Sequence, residues 1–145
     1  MRIIGLDYGS KTVGVALSDE LLITAQPFEI VRREQENKLR KTLARIEEII
    51  GTYDVSLIIL GLPKKTDNSS GERVEKTMEF KAMLERRTGL NVVCEDERFT
   101  TVIANNAMAE AGLKKAEWKE HVDSVAASLI LQSYLDRERN NLKNE

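Results

Sequence analysis

Residues 3–19, IIGLDYGSKTVGVALSD, constrain the fold of this chain most. An apolar run, Ile3, Ile4 and Leu6, leads to Asp7, and Tyr8-Gly9-Ser10 supplies turn residues. Val13, Val15 and Leu17 then alternate with period two, so the segment reads as a β-hairpin. Asp7 falls where the first strand ends. A carboxylate there is held by rigid backbone and can still face solvent, which suits a catalytic or metal-binding group. The same Asp also serves simply to begin a turn, a common use of the residue. Which reading holds depends on the other carboxylates that the chain brings beside it.

Downstream, Leu22 to Val31 has extended character, with Pro27 marking an edge or irregular strand. Leu39, Leu43, Ile46 and Ile50 recur at spacings of four, three and four, which predicts a helix over 37–50 stopped by Gly51. Val55 to Leu60, VSLIIL, is too short for a helix and apolar enough for a central parallel strand. It runs into Gly61-Leu62-Pro63 and a polar loop, Lys64 to Gly71, at the carboxyl edge of the sheet where α/β folds put their ligands. Ser69 and Glu72 have capping-box spacing, which predicts a helix over 71–87 ended by Gly89. Its N-terminus, with Lys64, Lys65 and Arg73 nearby, reads either as a phosphate site or as an ordinary capped loop.

Asn91 to Glu97, NVVCEDE, is the next expected strand, and Glu95, Asp96 and Glu97 crowd its end. Adjacent acids repel unless a cation or basic residue offsets them; an acidic, solvated strand end is the plainer alternative. Thr100 or Thr101 caps a helix that Gly112 stops. A basic connector, Leu113 to Lys119, leads to a last helix over about 120–138, with Val122, Val125, Ala126, Leu129 and Ser133 on one stripe. Ala126 and Ala127 permit a close approach to the sheet, carrying Asp123 toward the strand ends. Residues 139–145 read as a polar tail. The order β-β-β-α-β-α-β-α-α predicts an α/β fold, a mixed sheet with its first strands antiparallel and helices flanking it, in one domain over 1–138.

Composition narrows the function classes. Among 145 residues, 22 Lys and Arg against 24 Asp and Glu leave a net charge of −2, which counts against an overall positive field and leaves room only for local basic patches. One cysteine, Cys94, excludes an internal disulfide framework and fits a reducing compartment. No apolar run approaches the roughly 20 residues that span a bilayer, and Asp7 interrupts any signal-peptide core. The expectation is a cytoplasmic protein with no membrane partner. His121 reads as a surface or capping group and Cys94 as core.

If strands one, four and five lie together, Asp7, Glu97 and Asp123 can converge on one edge. Three carboxylates without a histidine or thiolate set describe a hard-cation site, for Mg²⁺ or Mn²⁺ over Zn²⁺. Two such ions about 3.5–4 Å apart can activate a water and stabilise the leaving oxygen in phosphodiester cleavage.

Asp7-Tyr8-Gly9-Ser10-Lys11 with Gly14-Val15-Ala16, then Gly61-Leu62-Pro63, Asp96-Glu97-Arg98-Phe99-Thr100-Thr101, and Asp123 with Ala126-Ala127 form an ordered set of motifs. Together they resemble the YqgF (RuvX) family, bacterial proteins with an RNase H-like fold. Its members are described as Holliday junction resolvases and are implicated as nucleases that trim the 5′ end of pre-16S rRNA. The resemblance spans nearly the whole chain. It implies that Asp7, Glu97 and Asp123 are the metal-binding catalytic acids, with Mg²⁺ (or Mn²⁺) as cofactor. It also implies that Lys11, Arg98 and the Lys64/Lys65 loop lie along the substrate path. Asp96 ranks below Glu97, because strand alternation puts it on the opposite face. Lys64, Lys65, Arg73, Lys114, Lys115 and Lys119 are candidates for a positive rim, each also readable as solvated surface.

The resulting expectation is a metal-dependent endonuclease on structured nucleic acid, pre-rRNA or branched DNA, leaving a 5′-phosphate and a 3′-hydroxyl. A junction resolvase must make paired cuts as a dimer; the sequence offers no obvious dimer stripe, so the reading is a monomer or weak homodimer and leans to RNA processing. One rival is a non-catalytic nucleic-acid-binding regulatory factor on the same fold, indifferent to loss of Asp7. The other is a nucleotide phosphotransferase, since a similar hairpin opens actin-like ATP-binding domains; those need a second domain and a second phosphate loop.

Overall fold

The computed structural model describes the backbone of residues 1–62, 71–96 and 115–143 and the side chains of 1–62, 71–96 and 125–141. Five strands, β1 (Arg2–Tyr8), β2 (Thr12–Ser18), β3 (Ala25–Arg32), β4 (Val55–Leu62) and β5 (Val92–Asp96), form one sheet in the order β3-β2-β1-β4-β5. Three helices are described, α1 (Arg40–Thr52), α2 (Gly71–Thr88) and α3 (Lys115–Lys143). The β1–β2 and β2–β3 pairs are antiparallel, and the β1–β4 and β4–β5 pairs parallel. The expected mixed sheet is therefore present, with β1 at its centre and β1, β4 and β5 side by side. The helix expected over 101–111 lies outside the described residues.

The sheet is covered on both faces, which explains why β1 and β4 are apolar at nearly every position rather than at every second one. On one face Ile4, Leu6, Tyr8, Ile58 and Leu60 pack under Leu43, Ile46 and Ile49 of α1 and Phe80 and Leu84 of α2. On the other, Ile3, Ala16 and Ile59 pack under Ala127, Ile130, Leu131 and Leu135 of α3. Each fully buried Ile, Leu or Phe contributes roughly 1.5–3 kcal/mol.

Gly5 sets the approach of α3. A Cβ at this position would lie 2.8 Å from Leu131 Cβ and 3.0 Å from the Ala127 carbonyl oxygen, so only glycine lets the helix backbone come this near. Gln132 fixes the same helix to the sheet edge: its Oε1 accepts from Ala25 N–H at 2.8 Å and its Nε2 donates to the Ile23 carbonyl at 2.8 Å. Ala25 lies opposite Ser18, whose hydroxyl accepts from Ile3 N–H at 2.9 Å, at the start of β1. The helix therefore runs with its N-terminal side toward the end of β1 that carries Asp7.

Several boundaries differ from expectation. Helix α1 starts at Arg40 rather than 37, because Lys38 N–H closes a turn on the Gln35 carbonyl, and Leu39 caps it without a side-chain bond. Gly51 lies inside α1 and does not stop it; the chain reverses at Asp54, whose φ of 54° is a conformation Asp tolerates. Gly89, with φ of 71°, does end α2 as expected. The basic connector through Lys119 is helical from Lys115 on, since Lys, Ala, Glu and Trp in that segment are adequate helix formers. The same helix continues through Lys143, into the segment read as a tail. Strand β3 is the edge strand that Pro27 suggested, with an irregular register beside it at Val15/Ala16.

Gly5→Ala is expected to destabilise the protein by about 1–3 kcal/mol through overpacking, since a backbone carbonyl cannot step aside as a flexible side chain can. Thermal or urea denaturation measures it; an unchanged midpoint would show that α3 is free to lift off the sheet.

Candidate active site at the carboxyl edge of the sheet

Asp7 is the sixth residue of β1 and lies opposite Gly14 in the antiparallel ladder with β2. Ile3 and Gly5 face α3, so alternation puts Asp7 on that face too. It is half-buried, one residue before Tyr8 closes the strand. Leu6 pairs with Leu60, and Gly61 with Glu95, so carrying the β1–β4 register one residue further sets Asp7, Gly61 and Glu95 in one row. Across two strand spacings the Asp7 and Glu95 Cα atoms are roughly 10 Å apart. The residue between them has no side chain.

Glu95 was one of three crowded acids in the sequence, and the structure gives it its own role. Only 5% of its surface is exposed. Its Oε1 accepts from Arg137 Nη1 of α3 at 2.6 Å, while its Oε2 is buried without a hydrogen-bond partner. The pair ties the end of β5 to α3 and raises the Arg137 pKa, chiefly through that hydrogen bond. Asp96 is exposed at the end of β5. Glu97 and Arg98 lie outside the described residues.

The backbone at Asp123 lies in α3 one helical turn before Ala127, the residue whose carbonyl contacts the Gly5 position. Lys115 and Lys119 stand in the first turns of the same helix. The Lys64/Lys65 loop is outside the described residues. Among the described residues no three carboxylate, imidazole or thiol groups lie close enough to hold a metal ion. Of the acids assigned by sequence, Asp7 is the one whose side chain is described.

Lys11 is exposed at the β1–β2 turn. That turn is braced: Gly9 N–H donates to the Thr12 carbonyl at 2.7 Å, and Arg33 Nη2 donates to the Gly9 carbonyl at 2.5 Å. Arg73, a candidate rim cation, is tied inward, donating to the Tyr8 carbonyl at 2.7 Å. Tyr8 stacks on Phe80 with centroids 4.3 Å apart, and the Arg33 guanidinium lies 5.0 Å from the Tyr8 ring. Cys94 is half-buried and burial pushes its thiol pKa up, which disfavours the thiolate that a nucleophile needs. Among the described residues, no helix is long and apolar enough to cross a membrane.

A family profile described as "RuvX: Holliday junction resolvase" matches residues 1–137. The chain is 63% identical over 136 residues to "Putative pre-16S rRNA nuclease" of Agathobacter rectalis, covering 94% of this chain and 95% of that one. It is 47% identical over 138 residues to a protein of the same name from Streptococcus pneumoniae, covering 94% and 99%. In fold it is similar to Thermus thermophilus RuvC in complex with a Holliday junction substrate, with a TM-score of 0.60 and 15% identity over 97% of this chain and 96% of that one. The sheet order and flanking helices are those of the RNase H-like fold.

Arg137→Leu is expected to cost about 1–3 kcal/mol, because it leaves the buried Glu95 carboxylate unpaired; partial exposure of Arg137 keeps it below the cost of breaking a fully buried pair. Adding Glu95→Gln should recover much of the loss. A double-mutant cycle by denaturation checks this, and strictly additive losses would contradict it.

Proposed function

Because the chain belongs to the RuvX family of Holliday junction resolvases, we propose that it is a metal-dependent endonuclease that hydrolyses phosphodiester bonds in structured nucleic acid. Processing of the 5′ end of pre-16S rRNA is the favoured activity, from the names of its relatives; cleavage of a four-way DNA junction is the second, from its fold. The observation that best supports the reading is the position of Asp7 at the exit of the central strand, on the face crossed by α3.

In this proposal Asp7, Glu97 and Asp123 hold the cation, and an all-carboxylate donor set suits Mg²⁺ or Mn²⁺. A divalent ion bound there would lower the pKa of a water and offset the charge that builds on the phosphate oxygens. The chain's own contribution is positional. Asp7 stands in the central strand, paired with Gly14 of β2, so the backbone that carries its carboxylate is already fixed when substrate arrives. The Glu95–Arg137 pair holds the end of β5, next to Glu97 in sequence, against α3. Lys11, beyond the strand end, would meet a phosphate neighbouring the scissile one, and Arg98, Lys64, Lys65, Lys115 and Lys119 would complete the substrate path.

The test is cleavage of a labelled pre-16S rRNA 5′ leader and of a four-way DNA junction, each with Mg²⁺, Mn²⁺ or EDTA. Wild type should cut at least one with metal, EDTA should abolish cutting, and Asp7→Asn should slow it at least about 100-fold, since even outer-sphere changes at metal sites cost 10–100-fold. Binding without cutting, indifferent to metal and to Asp7→Asn, would overturn the catalytic reading and leave a regulatory binding factor.

A further inference from the structure

We propose that the groove formed by the end of β3, the β3–α1 connector and the start of α1 is a second binding surface of this protein, one that grips the phosphodiester backbone beside the cleavage site. The inference rests on the nucleic-acid reading above, but on residues that reading does not use. A cavity of about 610 Å³ is lined there by Arg32, Arg33, Lys38, Arg40 and Lys41, with Glu34 as its one acid. In a chain of net charge −2, such a local excess of cations is not a reflection of composition.

Folding employs Arg33, whose guanidinium donates to the Gly9 and Glu36 carbonyls and lies over the Tyr8 ring, but no described ion pair employs Arg32, Lys38, Arg40 or Lys41. The described ion pairs take up Arg2, Arg45, Arg73, Lys76, Lys81, Arg87, Arg137 and Arg139, and none involves a side chain of the groove. Arg40 and Lys41 stand in the first turn of α1, which contains no acid, so they oppose the helix dipole rather than complement it. Arg32, Lys38, Arg40 and Lys41, kept close together outside any described ion pair and, for Arg40 and Lys41, against the local dipole, repel one another until an anion arrives. A concave surface with several of them suits a polyanion with regularly spaced charges better than a single small ion.

The groove is also mechanically joined to the candidate active site. Arg33 N–H donates to the Lys11 carbonyl at 2.8 Å, and its guanidinium donates to the Gly9 carbonyl, so connector and hairpin turn move as one piece. Arg32 pairs with Thr12, two residues from the Gly14 that pairs with Asp7, so Arg32 shares the sheet face of Asp7. Two strand spacings across and two residues along put their Cα atoms roughly 12 Å apart. That is about three or four nucleotides at the roughly 3.4 Å axial rise of one strand. A strand with its scissile phosphate at Asp7 would pass Lys11 and enter the groove.

The experiment measures equilibrium binding of wild type to the labelled rRNA leader and to the DNA junction in EDTA, between 50 and about 300 mM salt, where no cutting interferes. The triple variant Arg32→Gln/Lys38→Gln/Lys41→Gln should bind on the order of tenfold or more weakly, with the slope of log K against log salt reduced by about 2–3. The charge-matched variant Lys81→Gln/Arg86→Gln/Arg139→Gln, on α2 and α3, should bind as wild type does. The two probes separate RNA from DNA as the polymer gripped; loss on either supports the groove. Equal losses in both triple variants, an unchanged slope in the groove variant, or no binding by wild type would overturn it. Lys38→Gln/Lys41→Gln, outside the sheet, repeats the test should Arg32→Gln lower the melting temperature. Binding that follows these expectations in a protein that cuts neither probe would keep the groove and remove the nuclease reading, and the converse pattern would do the reverse.

Discussion

The contact on which most of this structure depends is the approach of α3 to the central strand at Gly5. Helices ordinarily rest on sheets through their side chains; here a helix carbonyl and a Leu131 Cβ come within reach of the strand backbone itself. The missing side chain on Gly5 and the small ones on Ala126 and Ala127 let the helix axis drop toward β1. From that follow the burial of Ile3 and Ala16, the clip of Gln132 on the edge strand, and the reach of Arg137 to Glu95. A catalytic carboxylate on the N-terminal half of such a helix would be useful only at this depth.

Much of this was legible in the sequence, and the reasons differ by element. The hairpin and VSLIIL announced themselves because period-two alternation and a short unbroken apolar run each have few other uses. Helix limits were less legible. Gly51 looks like a stop signal, but its entropic cost of about 0.5–1 kcal/mol is less than the burial of Ile46 and Ile49 in the same helix supplies, and the reversal falls to Asp54. At the other end of the chain the basic character of LKKAEWK suggests a connector, although its residues favour helix.

The site was legible only in part. Asp7 was visible because a carboxylate at the end of an apolar strand is unusual. Glu95 was not separable from Asp96 and Glu97, since only the parallel register puts it level with Asp7 and only the fold brings Arg137 to it. The cations of RREQENKLRK do not stand out in the sequence either. Three of them, Lys38, Arg40 and Lys41, fall on the polar faces of the helix expected over 37–50, and what sets the group apart, the absence of a described ion pair at Arg32, Lys38, Arg40 and Lys41, is something no linear pattern reveals. Nor does any local pattern mark Gln132; its work is with Ala25 and Ile23, far away in sequence.

The edge strand carries a consequence of its own. A β-sheet with an open rim is a template on which another chain can add, and β3 is such a rim. Pro27 removes one donor from it, and the register irregularity beside Pro27 turns the strand out of a flat path. Glu29 and Arg32 add charge along its length. These features obstruct sheet-to-sheet growth along this rim and make it a poor seam for pairing two copies. The same strand can therefore sit open to solvent and hand its last residue, Arg32, to the groove without inviting self-association.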